Sequence, residues 1–164
     1  MWSRTISRLV AAGMVAAPML MLPALAQLKP DVVPVPNSDE AMAKAIAKAR
    51  ATLPEFFAIL AKPQQGDNGF AVKIHYDFGN NRGEHIWANT ITVNGTDISA
   101  NISNQPRDIP NLKFGQRVTV PVTQLSDWMF IRDGKIHGGQ TIRAVLPMLP
   151  PDRAAEMRAR LAPE

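Results

Sequence analysis

The chain of 164 residues contains no cysteine. That excludes disulfides, a thiolate nucleophile, a cysteine-based structural zinc site and a lipidated cysteine. Stability must come from packing alone. Aromatic residues are sparse, with three tryptophans, one tyrosine and six phenylalanines, so each tryptophan carries weight. No run of five like charges occurs, which argues against a nucleic-acid footprint. No phosphate-binding loop, dinucleotide fingerprint, G-x-S-x-G, S-x-x-K or H-E-x-x-H motif is present. These absences lower the expectation of an enzyme, and they call for no cofactor and no metal.

What is present begins at the N-terminus. Arg4 and Arg8 precede an apolar run from Leu9 to Ala26, which closes on Ala24-Leu25-Ala26 before polar Gln27. This is the layout of a secretory leader. The run reaches the roughly 18 residues at which spanning helices begin, so an uncleaved anchor is the competing reading. Pro18, Pro23 and the A-L-A end favour cleavage. The expectation is a signal peptide over 1–26 and a periplasmic or secreted protein that meets the membrane only through its leader, if that is retained.

Cleavage leaves 138 residues, enough for one domain with a core. The whole chain has 18 Lys+Arg against 14 Asp+Glu. Loss of Arg4 and Arg8 brings this near balance, so the basic character says little about partners.

Residues 27–37 contain Pro30, Pro34 and Pro36 among valines and read as an extended linker. A domain is expected over 38–164. Ser38 caps a helix, with Asp39 and Glu40 suited to its dipole, and Met42, Ile46, Ala49 and Leu53 form one apolar stripe. Thr52-Leu53-Pro54-Glu55 starts a second helix. From Phe70 the period changes to two. Phe70, Val72, Ile74, Tyr76 and Phe78 alternate with Ala71, Lys73, His75 and Asp77, predicting a half-buried strand. Gly79–Gly83 is a hairpin connection, and 84–93 is the returning strand. Strands are also expected over 97–103, 117–122, 128–132 and 135–137, with Pro121 marking an edge and Asp133-Gly134 a turn. Helices follow over 141–149 and 152–161. The order predicts an α+β fold: a curved antiparallel sheet of about five or six strands, packed by N- and C-terminal helices.

Candidate site residues cluster in three places. The hairpin carries His75, Asp77, Glu84 and His85. Imidazole and carboxylate suit metal ligation or a base with its orienting partner, but Glu84 and His85 point to opposite faces, and no ligand spacing supports a metal. Trp87 shares a face with His85; it reads first as core and second as a platform for a planar ligand. Asp127 reads as the carboxylate of an Asx turn, or as a group at a cleft whose wall is Trp128. Gly138-Gly139 leads into a helix and is either a tight turn or an anion-holding pair of amides. Arg143 would strengthen such an anion site or pair with Asp127 or Glu84.

Several segments in order resemble one bacterial family. They are 51–56 (ATLPEF), 70–74 (FAVKI), 84–87 (EHIW), 104–106 (NQP), 115–118 (GQRV), 127–129 (DWM) and 138–143 (GGQTIR). Together they resemble the "domain of unknown function 2314" family, to which the YegJ-like proteins belong, over roughly 41–149. The resemblance implies a bacterial α+β domain, sometimes exported, without an assigned activity.

The leading functional expectation is a non-catalytic domain of the cell envelope that binds an unknown envelope protein or small ligand at Trp87, Trp128, Gly138, Gly139 and Arg143. One alternative is a periplasmic hydrolase using Glu84 or Asp127 as base with His85 or His137. Another is an inhibitor or immunity-type protein, which needs an exposed apolar patch.

Overall fold

A computed structural model describes residues 40–80 and 82–164. The expected leader, the linker and the first two residues of the expected domain lie outside the described residues. Among those described, two helices come first, α1 (Glu40–Ala51) and α2 (Leu53–Ala61). Six strands follow: β1 (Asn68–Gly79), β2 (Arg82–Asn94), β3 (Asp97–Ile102), β4 (Arg117–Pro121), β5 (Leu125–Arg132) and β6 (Lys135–Gly138). Two more helices close the chain, α3 (Gln140–Val145) and α4 (Pro151–Arg160).

The strands form one sheet in the order β4-β3-β2-β1-β5-β6. Every neighbouring pair is antiparallel. The α+β class read from the sequence is therefore the observed one.

The period-two pattern of β1 decides which face is buried. Val72 and Ile74 point to α1 and α2, together with Ile86 and Ala88 of β2, Ile98, Ala100 and Ile102 of β3, and Trp128 and Phe130 of β5. Ala49, Leu53 and Phe56 fill this core from the helices. Phe56 stacks on Trp128 with centroids 5.2 Å apart. A smaller cluster of Ile136, Leu146 and Leu161 packs with Met129, Ile131, Ile142, Leu149 and Met157. It brings the chain after β6 onto the other face of the sheet, at the β5–β6 end.

The two edges are handled differently. Leu161 bridges Ile136 in parallel, and Ala162 N–H donates to Ile136 O, so the C-terminal segment covers β6. At β4, Val122 N–H bonds to Thr96 O and Ile102 N–H bonds to Gln116 O. The even residues therefore face β3, and the odd residues Arg117, Thr119 and Pro121 face outward. Proline has no N–H to offer at that edge, which gives the edge reading of Pro121 its physical content.

Element bounds differ from expectation in one consequential place. Strand β5 begins at Leu125, not at Trp128. Ile74 pairs with Leu125 while the adjacent Lys73 pairs with Asp127, so Ser126 is an extra residue in the ladder. A bulge of this kind breaks the alternation on which strand recognition depends. Asp127 consequently lies inside a strand and not at a turn entry.

Candidate functional site

The sheet face turned away from α1 and α2 holds the polar side chains. In register, Lys73 of β1 lies between Trp87 of β2 and Asp127 of β5, and His75 lies opposite His85. The bulge adds Ser126 to the same face.

Asp127 is 1% exposed and saturated. Its Oδ1 accepts from Trp128 N–H at 2.8 Å and Gln140 N–H at 3.1 Å; its Oδ2 accepts from Thr141 N–H at 2.8 Å and the Thr141 hydroxyl at 2.6 Å. Burial pushes its carboxyl above the usual carboxylate range, against the pull of the Thr141 hydroxyl and the Lys73 charge. The anion at the start of α3 is thus the protein's own. The turn that allows this is Gly138-Gly139, both at positive φ. A Cβ on Gly138 would stand 2.4 Å from Trp128 O and 2.5 Å from the indole ring, so only glycine fits there.

Lys73 reaches the same centre. Its ammonium donates to Thr141 Oγ1 at 2.7 Å and lies 4.9 Å from the centroid of the Trp87 ring. Burial pulls its pKa down, and the charge of Asp127 opposes the shift. The two charges communicate through the threonine hydroxyl. Neither Lys73 nor Thr141 stands out in the sequence: one is a single polar residue in an alternating strand, the other one residue of a helix start.

His85 and His75 stack across β1 and β2, with centroids 4.3 Å apart and planes at 13°. His85 Nδ1 lies 2.8 Å from Ser126 Oγ, and Ser126 Oγ lies 3.2 Å from Lys73 O. Either Nδ1–H donates to the serine oxygen, with the hydroxyl turned to Lys73 O, or the hydroxyl donates to Nδ1; the two tautomers leave Nε2 as acceptor or donor respectively. Burial first, then the charges of His75, Lys73 and Arg50, hold His85 down at about 4. Gly83 explains how His75 is seated, since a Cβ there would meet His75 Nε2 at 2.6 Å.

The remaining candidates are placed elsewhere. Glu84 is paired with Tyr76 on the opposite sheet face from His85. Its two oxygens accept from Arg107 N–H and Asp108 N–H, each at 2.9 Å. It fastens the loop after β3 and does not meet Asp127. Asp77 accepts from Gly79 N–H at 2.8 Å and shapes the hairpin. Trp128 is a core residue, 7% exposed, whose Nε1–H donates to Ala49 O and Thr52 Oγ1. His137 stacks on Phe130, its partner across β5 and β6. Arg143 turns to the C-terminal segment, donating to Ala162 O at 2.7 Å and Gly138 O at 3.3 Å and pairing with Glu164. It pairs with neither Asp127 nor Glu84. Among the described residues, no group of three or more His, Asp or Glu could hold a metal ion.

Of the sequence candidates, the structure brings His75, His85, Trp87 and Asp127 onto one face, and adds Lys73, Ser126 and, from α3, Thr141. Trp87 is half-buried there, and its indole N–H has no partner among the described residues. A separate apolar groove of about 410 Å³ lies between α2 and the end of β2, lined by Phe57, Leu60, Ala61, Ile91, Thr92 and Val93.

No solved structure matches the chain. It is 36% identical over 123 residues to the uncharacterized protein YegJ of Escherichia coli K12, covering 74% of this chain and 78% of that one. It is 40% identical over 62 residues to a "Putative ankyrin repeat protein" of Neisseria meningitidis serogroup B, covering 38% of this chain and 24% of that one. The model of an uncharacterized protein family conserved in bacteria, DUF2314, matches residues 39–161, and the chain belongs to that family.

Proposed function

We propose that this protein is exported and serves in the cell envelope as a non-catalytic binding domain, and that it binds through the sheet face carrying Lys73, His75, His85 and Trp87. The carrying observation is the contrast between Trp87 and the acid–base candidates. Trp87 is a half-buried indole with an unfilled donor, beside an ammonium group. Such a ring offers stacking area and a hydrogen bond at low entropic cost. The carboxylates a hydrolase would use are committed to the backbone: Glu84 to two amides, Asp127 to three amides and a hydroxyl. Ser126 is fully buried, which keeps it from meeting a substrate as a nucleophile. Export is supported by the leader pattern at 1–26.

A second reading, an inhibitor or immunity-type protein, draws support from the apolar groove at Phe57, Leu60, Ile91 and Val93.

The test is co-purification of the full chain, expressed with its own N-terminus, from the envelope fraction. The binding-face reading expects a ligand or partner that Trp87→Ala loses while the fold persists and that Leu60→Asp keeps. The reverse pattern transfers the function to the groove.

A further inference from the structure

We infer that the end of β2 is a strand-addition site: Ile91–Val93 receives an extended, uncharged peptide whose alternate side chains are branched and apolar and sit in the groove beside α2. The site lies on the helix-bearing face, apart from Lys73, His85 and Trp87. It therefore rests on the groove of the second reading and not on the Trp87 face.

The first observation is an open length of sheet. β1 pairs with β2 only as far as Ala71 and Asn89, and its first residues turn to β5, where Asn68 pairs with Ile131. Beyond Asn89, β2 pairs with β3 alone, Thr92 with Ser99, Val93 with Ile98 and Asn94 with Asp97. Ile102 N–H bonds to Gln116 O and Val122 N–H to Thr96 O, so the even residues of β3 face β4 and the odd ones face β2. Thr92 and Asn94 thus exchange their backbone bonds with Ser99 and Asp97. A trans peptide holds each C=O opposite the next N–H. Ile91 C=O, Val93 N–H and Val93 C=O consequently point to the side that β1 has left, and no described residue meets them. Sheet edges are commonly blunted by charge, proline or a covering segment. Pro121 serves β4 and Leu161 covers β6, but Ile91–Val93 has none of these.

This length is also held in shape. Arg117 Nη1 donates to Thr90 O at 3.1 Å and Nη2 to Thr92 Oγ1 at 2.9 Å. Thr90, at φ 53°, takes up the bulge that turns Ile91 to the helix face.

The second observation is the groove beside that edge. Phe57, Leu60 and Ala61 form one wall and Ile91 and Val93 the other, around about 410 Å³. Val93 is 43% exposed, and no lining residue is charged. In an added antiparallel strand, the residue opposite Val93 exchanges both backbone bonds with it and puts its side chain on the same face, into the groove. An apolar, β-branched residue suits that place. Size decides against a second copy of the chain. The open edge is three residues long, about 7 Å, whereas a stable interface buries roughly 800 Å² per partner. An extended segment of about five residues matches the edge.

The test is NMR of the full chain titrated with the peptide acetyl-Val-Thr-Val-Thr-Val-amide. The expected result is a saturable shift of the Val93 amide, with slowed hydrogen exchange there. N-methylation of the central valine removes the N–H that meets Val93 C=O and should weaken binding roughly tenfold, the worth of one hydrogen bond. N-methylation of both threonines, whose N–H groups point away, should leave binding within about twofold. Val93→Asp, a change at an exposed position, should abolish binding while the fold persists. No shift with the peptide, or the same response to the two methylation patterns, overturns the inference. A Val93 N–H already protected before peptide is added shows an edge covered by the chain itself, or by a second copy where protection grows with concentration, and overturns it too. None of these results bears on the Trp87 face, whose own test is loss of the envelope ligand in Trp87→Ala.

Discussion

Thr141 gives Asp127 two hydrogen bonds, one from its backbone N–H at 2.8 Å and one from its hydroxyl at 2.6 Å, and so ties the start of α3 to the centre of β5. Each oxygen of Asp127 faces two donors. Asp127→Asn keeps the shape but turns an NH2 group toward two N–H or O–H groups. The expected loss is about 3 kcal/mol, the range for an unsatisfied buried group, measured by urea unfolding. A carboxylate acting only in catalysis would lose activity in this variant and keep its stability.

Gly138→Ala should be at least as severe. The added methyl would overlap Trp128 O and its ring, at a positive φ. A loss of about 3 kcal/mol or more is expected from overpacking and backbone strain together, and differential scanning calorimetry reads it as a lowered Tm.

The two tryptophans should separate. Trp128→Ala empties a core position stacked on Phe56 and should cost about 3–5 kcal/mol. Trp87, partly exposed on the other face, should cost less, about 2–3 kcal/mol, in keeping with its smaller buried area. Comparable losses in thermal melts would mean that Trp87 is chiefly a packing residue.

Acid should weaken the fold through His85. Its folded pKa, about 4, lies below the usual value of 6.5. The unfolded chain therefore binds more protons between these values, and stability falls as pH drops from about 6.5 toward 4. Desolvation bounds the loss at about 3 kcal/mol. The raised pKa of Asp127 works in the opposite sense. His85→Gln should flatten the slope of urea stability between pH 6.5 and 4; an unchanged slope would assign the pH dependence to other groups.

The leader pattern predicts processing after Ala26. Mass spectrometry of protein recovered from the periplasm should give an N-terminus at Gln27. Unprocessed chain in the cytosol would remove the envelope role.

The fold was legible where side chains follow a period. Val72, Ile74 and Tyr76 announce the buried face of β1, and Asp133-Gly134 the hairpin between β5 and β6, with φ of 51° and 73° as such turns require. The site was legible only in part. His85 and Trp87 could be placed on one face from their spacing. Asp127 could not, because the bulge at Ser126 puts it out of step with Leu125 and hides the first residues of β5. Lys73 and Thr141 meet only when α3 folds back onto β5, a contact between residues 68 positions apart that local pattern does not encode. The resemblance segments 127–129 and 138–143 mark this centre as a pair, since Asp127, Gly138 and Thr141 are parts of one hydrogen-bonded turn.

The central claim is that the Lys73–His85–Trp87 face engages a ligand. Its most direct measurement is amide and indole chemical-shift mapping of the full chain against fractionated envelope extract. The account predicts saturable shifts at residues 73, 75, 85 and 87 and at the Trp87 indole N–H, absent in Trp87→Ala. Shifts confined to Phe57, Leu60, Ile91 and Val93, with the indole unmoved, would contradict it.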